Sequence, residues 1–212
     1  MDCDFLESNF APIHFMRLFT MVASSPRPVV LVLASGRGER FKTSGGSVHK
    51  LQAGLGGNTV LGQTLASVRA SGLPWHLEDT GHPGMGDSIA AAVRATANAS
   101  GWLVLPGDLP LVLPETLRTM AHELEAAADG GTAVVVPTHG GKRGHPVGFA
   151  ALCLADLVAL SGEHGAASIV RRHADQGRVR QVEVDDVGTV TDVDTVEDLQ
   201  QAEKILAQRN TL

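Results

Sequence analysis

Along the chain, short apolar runs alternate with amphipathic stretches, and glycines and prolines stand at the joints. Pro28–Ala34 carries the run VVLVL, which reads as a strand buried on both faces, because a half-buried strand would alternate apolar with polar. Ser35–Asn58 is glycine-rich from Gly36 to Gly57, and a loop of that length points to function. Thr59–Ser71 sets Leu61, Leu65 and Val68 on one helical face and stops at Gly72. Trp75–Asp79 predicts a short strand. Gly84-Met85-Gly86 then turns into an alanine-rich helix reaching Ala99, with Asp87 or Ser88 as its N-cap.

A second buried strand, Trp102–Pro106, ends at Gly107-Asp108. Pro114 opens a helix with Leu117, Met120 and Leu124 at helical spacing, and Gly130 and Gly131 close it. Thr132–Pro137 predicts a third buried strand. Val147–Leu160 predicts a strand and a helix, Gly165–Ala174 a helix, Arg178–Val184 a strand and Thr189–Val193 a further short strand. Thr195 and Asp198 form a capping box for a last helix striped by Val196, Leu199, Ala202 and Ile205. Strand and helix alternate, so the expected fold is α/β, a mostly parallel sheet with helices on both faces. Residues 28–212 are read as a single domain. Residues 1–27 are read as a poorly ordered N-terminal extension, with Met21 as a possible true start.

Composition narrows the function classes. The chain has 212 residues, 43% of them hydrophobic and 19% charged, with a formal net charge of -6. An acidic surface argues against nucleic acid as a partner. No apolar run approaches the length of a membrane span, and the first residues lack the basic, then apolar, pattern of a signal peptide. Membrane association is therefore not expected, and a cytoplasmic location is. Cys3 and Cys153 form no C-x-x-C pair, which removes the common zinc and dithiol readings.

Ligands of open α/β sheets bind beyond the carboxyl ends of strands, and the residues with chemistry fall there. Leu33-Ala34-Ser35-Gly36, with Gly38 and Arg40 behind it and Lys50 further on, follows the first strand. Glycines let backbone N–H groups approach a polyphosphate, and Arg40 and Lys50 can neutralise it. The loop lacks the third glycine of a dinucleotide fingerprint and the G-K-[ST] of a Walker loop. Asp108 follows the second buried strand, where a carboxylate can bind Mg2+, or simply cap a turn. Asp192 and Asp194 are one residue apart on a segment read as extended, so both could face one metal, and neither is preferred. Gly86 and Ser88 open a helix whose free N–H groups could contact a nucleotide. Gly144-His145-Pro146, with Lys142 and Arg143 before it, could meet an acceptor or be a solvated basic turn.

Together the motifs LASGRGERF with Lys50, GMGDS, PGDLPLV, GHPVGF and DVDTVEDL, in that order, resemble the molybdenum-cofactor nucleotidyltransferases, most closely their cytidylyltransferase branch. The resemblance spans nearly all of Pro28–Ala207. It implies a three-layer α/β/α Rossmann-like nucleotidyltransferase fold. It also implies transfer of CMP or GMP to the terminal phosphate of molybdopterin with release of pyrophosphate. Leu33, Ala34, Ser35, Gly36, Gly38, Arg40, Lys50, Gly86, Ser88 and Asp108 would then bind the nucleotide, with Arg40, Lys50 and Asp108 carrying catalysis. Asp108, helped by Asp192 or Asp194, would hold Mg2+, and Gly144, His145 and Pro146 would meet the acceptor. A molybdoenzyme or its maturation chaperone would receive the product. Ser35 and the Gly144-His145-Pro146 turn lean toward CTP. A guanylyltransferase, a sugar- or alcohol-phosphate nucleotidyltransferase and a non-catalytic cofactor carrier are the alternatives. Two departures stand out: an insert over 43–49 that makes Lys42 a rival to Lys50, and a shortened segment between Gly72 and Gly84.

Overall fold

The computed structural model describes residues 26–36, 38–128 and 130–209. The expected extension, except Pro26 and Arg27, and Met21 with it, lies outside them. The described chain runs through β1 (Val29–Leu33), α1 (Glu39–Thr43), the short hairpin β2 (Gly54–Leu55) and β3 (Asn58–Thr59), α2 (Val60–Ser71) and β4 (Trp75–Glu78). It continues with α3 (Met85–Ala95), β5 (Gly101–Pro106), α4 (Pro114–Ala128), β6 (Val134–His139), β7 (Lys142–Arg143) and β8 (Val147–Ala150). It closes with α5 (Leu154–Val158), α6 (Ala167–Asp175), β9 (Val179–Glu183) and α7 (Val196–Arg209).

The main sheet has the order β4-β1-β5-β8-β6-β7, with β9 also paired to β6. β1 pairs in parallel with β4 and β5, and β6 with β9. β8 runs antiparallel between β5 and β6, so β6 points the same way as β5. The sheet is mostly parallel, and its parallel strands end at one edge.

Alternate residues of the buried strands serve opposite layers, as the pleat requires. Val30, Val32, Leu103, Leu105 and Val135 pack against α2 and α4 through Leu65, Val68, Leu117, Met120 and Leu124. Leu31, Leu33, Trp102, Val104, Val134 and Phe149 pack on the other face against Ile89, Val93, Leu157 and Ile169. This is the three-layer α/β/α arrangement. Each such fully buried side chain stabilises the fold by about 1.5–3 kcal/mol. A third cluster, with Phe41, Leu51, Leu55, Leu111, Val193 and Ala202, anchors the glycine-rich segment onto α7. Among the described residues no helix is long and apolar enough to cross a membrane.

Four local expectations are corrected. Ser35–Asn58 is not structureless: it holds α1, a 3-10 turn at Lys50–Gln52 and the β2–β3 hairpin. The alanine-rich helix starts at Met85, not at Asp87 or Ser88, and ends at Ala95. Its N-cap is Gly84, without a side-chain cap, while Asp87 accepts instead from Gly162 N–H. A Cβ on Gly84 would stand 2.1 Å from the Gly162 carbonyl oxygen, so the close approach of the 161–164 segment fixes this helix start. Finally, Val187–Val190 is a 3-10 turn, and no strand forms over 189–193. The buried Asp186 carboxylate organises it, accepting from Gly188 N, Leu113 N and Thr116 Oγ1 and pairing with Arg209. All but Gly188 are remote in sequence, and together they outweigh the local β propensity. The capping box at Thr195 forms as expected, with Thr195 N–H donating to Asp198 at 2.7 Å and Asp198 N–H to Thr195 Oγ1 at 3.2 Å.

Candidate functional site

At the edge where the parallel strands end lies a cavity of about 360 Å³. Its walls come from the loop after β1 (Ser35, Gly36, Gly38), from α1 (Arg40), from Lys50, from the start of α3 (Gly84, Met85, Ser88), from Asp108 after β5 and from Asp194 before α7. Lys50 joins two of these walls. Its ammonium donates to Asp108 Oδ2 at 2.5 Å and to Asp194 Oδ1 at 2.6 Å. Arg40 donates to the other Asp194 oxygen at 2.7 Å. Two carboxylates from different loops thus converge on one cation. Asp108 Oδ1 is buried and has no hydrogen-bond partner.

The electrostatics follow from this geometry. Burial disfavours the Lys50 charge, but the charges and hydrogen bonds of Asp108 and Asp194 outweigh it and raise the lysine pKa. Burial likewise favours neutral Asp194, and Lys50 and Arg40 overcome that, holding its carboxyl below the usual range. Arg40 is largely exposed, with 80% of its side chain accessible, so it can leave Asp194 at little cost.

The rival Lys42 is exposed on α1, whereas Lys50 is buried in the site. The insert over 43–49 explains this. His49 accepts from Leu51 N–H through Nδ1 and so donates through Nε2 to the Gly36 carbonyl at 2.7 Å. It pins the 3-10 turn carrying Lys50 onto the glycine loop. Gly38 adopts φ +64 at the start of α1, a conformation that favours glycine. Ser35 donates to or accepts from Ser88 at 2.6 Å, joining the glycine loop to the buried first turn of α3.

The structure does not bring every expected residue here. Ala34 is tied to the sheet through its N–H and Glu78 C=O. Gly86 is buried and its N–H donates to Gly162 C=O; Gly84 and Met85 take its place on the cavity wall. Asp192 is exposed and does not line this cavity, whereas Asp194 does; the charge of Asp192, like that of Asp108, acts on His145.

Gly144 and His145 line a second cavity of about 530 Å³ that shares Leu33, Met85 and Pro106 with the first; Pro146 is buried at the cis His145–Pro146 bond. Its walls are largely apolar, with Val136, Val147 and Phe149, and Arg143 and Arg171 also line it. His145 Nδ1 is buried without a partner. Burial lowers the His145 pKa against the opposing pull of the Val104 backbone and of Asp108 and Asp192. His49, His82 and Glu163 also line or brace the first cavity, and sequence reasoning missed them. A His-Pro-Gly turn directly before a glycine-opened helix was the available signal for His82.

Among the described residues no cluster of three or more His, Cys, Asp or Glu side chains could hold a metal. Asp108 and Asp194 nevertheless suit Mg2+ or Mn2+, which take one or two carboxylates and complete their shell with water and phosphate oxygens. The unpartnered Asp108 Oδ1 is a free ligand atom for such an ion.

The profile of the MobA-like NTP transferase domain matches residues 63–179, more than half of the chain. The glycine loop, Lys50 and Asp194 lie outside that span. Over 116 residues the chain is 34% identical to the Bifunctional protein GlmU of Marinobacter nauticus, a match covering 45% of this chain and 25% of that protein. The chain thus spans about a quarter of the length of this curated relative. Crystallised Rv0371c of Mycobacterium tuberculosis superposes with a TM-score of 0.68 at 24% identity, covering 84% of this chain and 98% of that one, and has also been solved in complex with manganese. Molybdopterin-guanine dinucleotide biosynthesis protein A from Archaeoglobus fulgidus superposes with a TM-score of 0.54 at 19% identity, covering 85% and 99%. These structural likenesses establish a shared fold.

Proposed function

The chain belongs to the MobA-like NTP transferase domain family, a family of nucleotidyltransferases, and on that premise we propose that it transfers CMP from CTP to the terminal phosphate of the molybdopterin cofactor, releasing pyrophosphate. The observation that carries this reading is the convergence of Asp108, Asp194, Lys50 and Arg40 at a glycine loop beyond the strand ends. A phosphate acceptor and a triphosphate repel each other, so positioning and charge neutralisation dominate such a transfer. An acceptor oxygen forms a bond to the α-phosphorus, the α–β bridging bond breaks, and pyrophosphate departs. A phosphate acceptor is already ionised, so no side chain must remove a proton.

Asp108 and Asp194 would hold a divalent cation, Mg2+ by expectation; when bound it would offset phosphate charge and polarise the α-phosphate. Arg40 and Lys50 would stabilise the leaving pyrophosphate, and the bare backbone of Gly36 and Gly38 lets it approach. The second cavity would take the acceptor: its apolar walls exclude water, and Arg143, Arg171 and His145 offer polar contacts. CTP is favoured by Ser35 and by the Gly144-His145-Pro146 turn. Guanylyl transfer is the second reading, supported by the likeness to the A. fulgidus protein. A molybdoenzyme or its chaperone would accept the product.

The test is pyrophosphate release from CTP, GTP, ATP or UTP, each supplied with Mg2+ and molybdopterin cofactor. CTP alone should support release. Release with GTP would overturn the choice of base and keep the reaction. No release with any nucleotide would overturn the acceptor or favour a carrier.

A further inference from the structure

A histidine that lines the first cavity, His82, is aimed by a buried carboxylate. Glu78, the last residue of β4, pairs in register with Leu33, and Ala34 N–H donates to its carbonyl. Its side chain is only 8% exposed. It accepts from Thr80 N–H at 3.3 Å, from the Thr80 hydroxyl, and from His82 Nε2 at 3.0 Å. Burial works against this charge, yet the bonds from Thr80 and His82 keep the carboxyl below its usual range. An ionised carboxylate only accepts, so the His82 Nε2 carries the proton. In the neutral imidazole Nδ1 then carries the lone pair; it has no hydrogen-bond partner among the described residues and is not sealed from solvent.

Topology says what could reach it. His82 follows β4, Gly36 follows β1 and Asp108 follows β5, and these strands are neighbours in that order. Strand spacing sets β4 about 10 Å across the sheet from β5, a span on the scale of one nucleoside. With the phosphates at Lys50 and Asp108, and the second cavity on the β8–β6 side, the nucleoside falls at β4.

We propose that His82, held in one tautomer by Glu78, reads the nucleoside: its Nδ1 accepts a hydrogen bond from a donor on the substrate, an exocyclic amine of the base or a ribose hydroxyl. This rests on the nucleotidyl-transfer reading above. Glu78 acts as a positioning residue, through His82.

Calorimetric binding to the full chain with Mg2+ tests it, using CTP, UTP, GTP and ITP and the 2′-deoxy and 3′-deoxy forms of the tightest ligand. For the wild type, replacing the contacted amine by an oxo group (CTP to UTP) or by hydrogen (GTP to ITP), or the contacted hydroxyl by hydrogen, should weaken binding by about threefold to tenfold. Which replacement does so identifies the donor. In His82→Phe that discrimination should vanish. In the near-isosteric Glu78→Gln, whose amide donates to Nε2 and moves the imidazole proton to Nδ1, it should be lost or reversed while the thermal midpoint stays close to wild type. Discrimination retained in His82→Phe, or absent from the wild type, would overturn the role of His82 and leave the transfer reading standing. A wild type that binds none of the nucleotides would overturn both.

Discussion

Lys50 neutralises two carboxylates that would otherwise repel each other across the cavity. On the reading proposed above, its ammonium occupies the ground that a divalent cation would need. Lys50→Met should bind Mn2+ about tenfold more tightly than wild type in the absence of nucleotide, measured by electron paramagnetic resonance. An unchanged affinity would mean that Asp108 and Asp194 are not the metal ligands. Asp108→Ala should lower kcat by about a hundredfold or more with the circular dichroism spectrum unchanged; near wild-type turnover would remove Asp108 from the site. Acid should act through Asp194. Its folded pKa is depressed, so its contribution to stability is present above the ordinary carboxylate pKa and is lost as pH falls through the folded value. The thermal midpoint of wild type should exceed that of Asp194→Asn at neutral pH, and the gap should close under acid. Asp108 stood out in the sequence because it follows a buried strand, whereas Lys50, inside a glycine-rich loop with Lys42 as its rival, stood out only through the family resemblance. The choice between Asp192 and Asp194 was not legible: it depends on contact with Lys50, 144 residues away, which no local spacing encodes.

Elements whose character is set by their own residues read well. VVLVL at β1 and the capping box at α7 need only neighbours in sequence. The strand expected over Thr189–Val193 does not form, because Asp186, which organises the 3-10 turn at Val187–Val190, draws partners from the start of α4 and the end of α7. Asp186→Ala should therefore cost more than a surface change. It strips a buried ion pair and leaves Leu113 N–H and Thr116 without their acceptor, a loss of about 3 kcal/mol or more. Urea unfolding measures this; a loss under 1 kcal/mol (roughly a surface substitution) would show the network to be incidental. The start of α3 was misplaced for a similar reason, since the fit of Gly84 against Gly162 outweighs the capping preference of Asp87.

For the whole molecule, the layer order and the position of the sites followed from strand–helix alternation. The reversal of β8 did not, because direction is decided by pairing and not by pattern. Ligand binding should be felt globally. Saturating CTP with Mg2+ at about a hundred times Kd should stabilise the native state by about 2.7 kcal/mol, raising the thermal midpoint by about 5–10 °C for a domain of this size. No shift with any nucleotide would contradict the assignment of the first cavity.

The antiparallel course of β8 brings the residues preceding a strand, Gly144-His145-Pro146, to the edge where the other strands finish. The larger cavity that they line draws Arg143, His145, Val147 and Phe149 from β7, β8 and the turn between them and Ala167, Val170 and Arg171 from α6, beside Leu33, Met85, Ile89 and Pro106; Ser35, Lys50 and His82 of the first cavity come from the first third of the described chain, and Asp108 and Asp194 from further on. On the reading proposed above, the polar groups offered to the acceptor, Arg143, His145 and Arg171, fall within one stretch of sequence that contains none of Lys50, Asp108 and Asp194. Substitutions at those three positions should then change the preference for acceptor with less effect on the affinity for nucleotide.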